Sequence, residues 1–147
     1  MATASTVRQR LARAITGVGL KETPLVFDAA QVTTSRSHQT FTLSFPDSAD
    51  TGKQRVGNGQ NEGDSYRVAH TITATLLHHL RQKDQEVTVD LALDDAEGAV
   101  RAVLTDLELN EDARVEYRST RRRLTASGDY LESVLALDIE TTVPITS

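Results

Sequence analysis

Apolar residues in the first twenty positions recur at spacings of three and four. They are Val7, Leu11, Ala14, Ile15 and Val18, with Arg8, Gln9, Arg10 and Arg13 between them. That period predicts an amphipathic helix to about Thr16, capped by Ser5 or Thr6 and ended by Gly17 and Gly19, which accept left-handed backbone. After Pro24, residues 25–27 form a short strand candidate. Over residues 38–45 the period changes to two: Phe41, Leu43 and Phe45 point one way, Thr40, Thr42 and Ser44 the other. This predicts a half-buried strand, which Pro46 would stop.

Residues 47–64 hold only Ala49 and Val56 as apolar side chains, among several glycines. Such a stretch cannot bury enough surface to fold alone, so it is expected to be a long flexible hairpin loop. It is either a passive insertion or a segment ordered by a partner, with Lys53, Arg55, Gly57, Asn58 and Gly59 as candidate contacts. Residues 66–80 fit two periods. Val68, Ile72, Leu76 and Leu80 suit a helix, and the even positions suit a strand face. The β-branched run at Thr71, Ile72, Thr73 and Thr75 favours the strand. A helix is expected over 89–107, with Leu91, Ala92, Ala96, Ala99, Val100, Val103 and Leu104 as its apolar stripe. Residues 114–125 read as a bent strand or strand pair. Ser127, Gly128 and Asp129 mark a turn. Residues 130–145 alternate as the clearest strand, with Leu131, Leu135, Leu137, Ile139, Thr141, Val143 and Ile145 on one face.

The predicted class is therefore α+β in one domain spanning 1–147: a mainly antiparallel sheet with two helices packed on one face and a long hairpin loop. At 147 residues the chain can bury one core, and with three Phe, three Tyr and no Trp that core must be aliphatic.

Net charge is −5, so the chain is not a general polyanion binder. The charge is segregated, however. Asp84, Glu86, Asp90, Asp94, Asp95, Glu97, Asp106, Glu108, Glu111 and Asp112 face only Arg101 as a base in their segment. Arg114, Arg118, Arg121, Arg122 and Arg123 then follow with Glu116 alone as an acid. Segregated acidic and basic faces suit contact between copies, and they also suit simple solvation. On an extended segment Arg121 and Arg123 share a side. They can protect a sheet edge, contact a protein or meet phosphates.

Little points to catalysis. The absence of cysteine removes disulfides, thiolate metal sites and a thiol nucleophile. His78 and His79 are adjacent, and on a strand they face opposite ways, so they cannot share a metal. No paired-histidine metal motif, nucleophile elbow or phosphate loop is present. Asp94 and Asp95 are read as part of a solvated acidic face. The expectation is a non-enzyme without cofactor or metal. No apolar run approaches a membrane span, and the first residues lack the apolar core of a signal peptide.

Three stretches carry a family resemblance: residues 66–77, residues 91–97 within the second helix, and residues 124–141. In these and in overall layout the chain resembles the tail-terminator proteins of long-tailed bacteriophages. Those proteins share an N-terminal helix, a hairpin with a mobile loop, a helix on the sheet and a long last strand introduced by a Gly-aromatic turn. Where that turn often carries Gly then Trp, this chain has Gly128, Asp129 and Tyr130.

The resemblance implies a structural virion protein, assembled in the host cytoplasm and placed at the neck of the tail. Such subunits close into a ring, typically a hexamer. The ring caps the tail tube, ends its polymerisation and joins tail to head. Expected partners are further copies, the tail-tube protein and a neck or connector protein, while DNA passes through without sequence-specific contacts. Across the ring contact, Asp94, Asp95 and Glu97 would meet Arg114, Arg118, Arg121, Arg122 and Arg123. The competing readings are a head-completion or connector subunit, another minor tail protein, and a small ligand-binding module.

Overall fold

The structure, a computed structural model, describes residues 4–23, 38–55, 64–80, 83–106, 109–110, 113–126 and 128–144. Helix α1 covers Ala4–Thr16, followed by a two-residue strand β1, Lys21–Glu22. Strands β2, Thr40–Arg55, and β3, Asp64–His79, form a hairpin. Helix α2, Gln85–Thr105, leads to β4, Arg114–Leu124, and β5, Tyr130–Pro144. The five strands form one sheet in the order β1-β2-β3-β5-β4, antiparallel except for β1 beside β2. The α+β class and the element order agree with the sequence reading. The short strand expected at 25–27 lies outside the described residues, and the strand that is seen precedes it.

Register sets the faces. Phe41 pairs with Leu76, Leu43 with Ala74, Ala74 with Leu135 and Ile72 with Leu137. Directly opposed residues share a face, so these side chains make one apolar surface. Val7, Leu11 and Ile15 of α1 and Ala96, Ala99 and Val103 of α2 pack on it, in a single core cluster. Both helices therefore cover the same face. Phe41, Ile72, Leu76 and Ile139 are fully buried, each worth about 1.5–3 kcal/mol relative to exposure.

Two local features place the helices. Gly19, at φ 110°, makes the left-handed turn that ends α1 and directs the chain into β1. A Cβ on Gly98 would lie 2.9 Å from a Val18 methyl, so a side chain at position 98 would force Val18 or the helix to shift. At the far end of α2 the Asn110 amide donates to the carbonyls of Val103, Leu104 and Asp106, at 3.2, 3.2 and 2.7 Å. It thereby satisfies carbonyls that the helix leaves without partners.

The hairpin departs most from expectation. Pro46 does not stop β2, and 47–64 is not all loop. Ser44 pairs with Thr73 and Asp47 with Thr71, so two residues oppose one at a bulge that contains Pro46. A bulge tolerates a residue without an N–H. Beyond it β2 continues to Arg55, which pairs with Asp64. The reason is a template: β5 pairs with β3 as far as Ser65, so β3 is already a strand there and offers its other edge. Lys53 and Arg55 thus belong to a strand, while Gly57, Asn58 and Gly59 lie outside the described residues. A strand of sixteen residues spans roughly 50 Å.

Candidate interaction surface

The face of the sheet opposite the two helices, the open face, carries a cross-strand ladder of charge. Arg123 pairs with Glu132 at 2.7 Å, Arg118 with Asp138, and Arg67 with Glu140 at 3.5 Å. Arg114 pairs along its own strand with Glu116 at 3.2 Å. Arg118 reaches this face by simple alternation, and the bulge between Tyr117 and Ser119 then shifts the parity so that Arg121 and Arg123 reach it too. On either side of that bulge, alternation places Arg114, Arg121 and Arg123 on the open face and Tyr117, Thr120 and Arg122 on the helix side. Arg121 and Arg123 do share a side. Three of the five predicted arginines are nevertheless paired within the chain: Arg123 with Glu132 directly opposite, Arg118 diagonally with Asp138 of β5, and Arg114 with Glu116 of its own strand. The buried Tyr130 ring packs against His79 on this face, tilted by 57° with ring centres 5.0 Å apart. Burial pushes its phenol pKa up, and the charge of Asp129 adds to the shift.

The acidic helix also divides. Asp94 and Glu97 are exposed, but Asp95 is buried at 8% exposure. Its carboxylate is 2.7 Å from Nε2 of His78, which is fully buried, and 3.4 Å from the Gln39 amide. Reading Asp95 as part of a solvated face is therefore corrected. The periodicity held the signal: position 95 falls on the same arc as Ala92, Ala96 and Ala99. His38 stands edge-on to His78 at 5.9 Å, and its Nδ1 accepts the His79 N–H at 3.0 Å. Gln39, with a positive φ of 55°, turns the chain into β2 here. His78 and His79 do point to opposite faces. The fully buried His78 ring ties α2 to the sheet through Asp95. His70, also buried, lies 3.1 Å from the Thr141 hydroxyl, and burial lowers its pKa. Among the described residues no group of three or more histidines and acids could hold a metal ion.

A third surface lies between α2 and β4. A groove of about 660 Å³ has Val100 and Leu104 on one side, Tyr117 and Thr120 on the other, and Arg101 and Arg122 at its rim. The sequence places Leu104 in the buried stripe, yet it is 42% exposed. The helix is apolar over a wider arc than one sheet can cover. Of the predicted contact residues, Arg122 and Glu97 are brought together along this groove. Glu97, Asp94, Arg121 and Arg122 form no ion pair among the described residues, in contrast to the ladder on the open face.

The chain matches no protein-family model, and no curated protein is significantly similar to it.

Proposed function

We propose that this chain is a structural, non-enzymatic subunit of a phage tail, one that closes into a ring, caps the tail tube and joins it to the neck. The reading starts from the resemblance in residues 66–77, 91–97 and 124–141. One structural observation favours it: the hairpin of β2 and β3 is paired to Arg55 and Asp64, while both helices pack on a core that begins at Phe41 and Leu43. A helix-backed body with a long paired arm suits a subunit that must hold a neighbour and reach a tube at once. Asp94, Glu97 and Arg121 form no ion pair among the described residues and are offered to a neighbouring copy, in place of Arg118 and Arg123, which are held by Asp138 and Glu132. A ring requires a heterologous contact that closes by rotation. In this reading DNA crosses the ring without base contacts, and the complex is assembled in the host cytoplasm.

Polymerising tail-tube protein supplies the test. Tubes should grow without limit when alone and stop growing when the chain is added in slight excess over tube ends. Tubes that elongate equally in its presence would remove the capping role.

A further inference from the structure

The β2–β3 ladder begins at Thr40 and Leu77, and in the same register His38 would face His79. The backbone of β2 does not reach that far. Gln39, at φ 55°, turns it away, and left-handed backbone is uncommon for a residue other than glycine. Bonds to three elements hold the turn. The Gln39 carbonyl accepts the Lys21 N–H at 3.0 Å, which ties in β1, and the Gln39 amide reaches Asp95 of α2 at 3.4 Å. Beside β3, the place of a backbone carbonyl is filled by the His38 ring, whose Nδ1 accepts the His79 N–H at 3.0 Å.

A ring nitrogen can play this part only while it carries no proton. A protonated imidazole has an N–H at both positions and accepts nothing. Protonation of His38 therefore sets one N–H against another, and the His79 N–H loses its partner. His38 is partly exposed, so protons reach it from solvent. Among the described residues, the titratable groups around it are His79, His78, edge-on at 5.9 Å, and Asp95, 2.7 Å from Nε2 of His78. The charge of Asp95 attracts a cation at His38, which favours the proton and does nothing for the lost bond. A second proton, on His78, would set two cations 5.9 Å apart beside one carboxylate.

We propose that His38 is an acid-sensitive latch: neutral, it closes the corner where β1, β2, β3 and α2 meet, and protonated, it lets that corner open. Opening frees the His79 N–H and, through the Gln39 turn, the Lys21 N–H. The two-residue strand β1 then loosens, while the centre of the sheet stays paired on both sides of β3. The latch is separate from His70, which lies against Thr141 further along β3. It does not depend on the tail reading, because every bond in it lies within one chain.

Amide hydrogen exchange on the full-length chain tests it, read residue by residue by NMR from about pH 8 to about pH 5, the range in which histidine titrates. Protection is compared after correction for the intrinsic pH dependence of exchange. The His79 and Lys21 amides should lose protection by up to about tenfold per pH unit as His38 takes its proton, while Ile72, in the middle of β3, keeps its own. In His38→Asn the side-chain oxygen stands as many bonds from the backbone as Nδ1 did and does not titrate, so His79 should stay protected at both ends of the range. His38→Ala should leave the His79 amide exchanging fast throughout, with circular dichroism confirming the fold. Equal protection of His79 at both pH values in the unaltered chain would overturn the latch. So would an acid loss in His38→Asn as large as in the unaltered chain, full protection in His38→Ala, or a loss at Ile72 that matches the loss at His79.

Discussion

The two faces of the sheet are built on opposite principles. One face is held by aliphatic side chains under two helices, with polar pairs buried in it where His78 meets Asp95 and His70 meets Thr141. The other is held by arginines and carboxylates paired across neighbouring strands. The covered face removes area from water and determines that the chain folds. The open face contributes little to stability, because its pairs are screened and half-exposed, but it consumes charge that would otherwise be offered to a partner. Among the described residues, the flank between the two faces, where α2 meets β4, keeps exposed apolar groups beside charges that form no ion pair. A surface rich in arginine is thus not by itself a binding surface, since acids one strand away can already occupy it.

The contrast can be broken in order of size. Phe41→Ala should cost the most, about 4 kcal/mol, because the ring is fully buried against Leu76 and the helices; urea unfolding measures it. Asp95→Ala should cost about 3 kcal/mol by the same method, since it leaves the His78 imidazole buried without its partner. Replacing both residues by Leu should recover much of that loss. An unchanged deficit in the double variant would mean that the pair does more than satisfy itself.

Acid should act next, and through the covered face. His70 has its pKa lowered by burial, so between that value and its usual 6.5 the unfolded chain binds the proton that the folded chain refuses. Stability from this group is complete above pH 6.5 and falls as pH drops through that window. His70→Asn should flatten that part of the pH profile, as read from unfolding midpoints. The smallest effect should come from the open face: Arg118→Ala should change stability by about 0.5 kcal/mol or less, and less still in high salt.

The sequence reading succeeded where one side of an element decides its state. Alternation in 66–80 and 130–145 gave the central strands, and the three-four spacing gave α1, because each buries one face only. It failed where a neighbour decides. Residues 47–55 have little apolar character, yet they pair because β3, fixed by β5, offers a ready edge. Arg118 and Arg123 looked available because the acids that hold them lie in another strand, and register is not visible along a single chain. Asp95 was the legible miss, since its place on the buried arc followed from the period that located Ala92 and Ala99. Its partner His78 stood on the strand face that faces the helices.

The proposed function turns on whether copies of this chain close a ring at the end of a tube. Negative-stain imaging, with native mass measurement, of the chain mixed with preformed tail tubes is the direct test. The account predicts a closed ring of about six copies seated on one end of each tube, built from repeated head-to-tail contacts. Bare tube ends, with the chain still free in solution at its monomer or dimer mass, would contradict it.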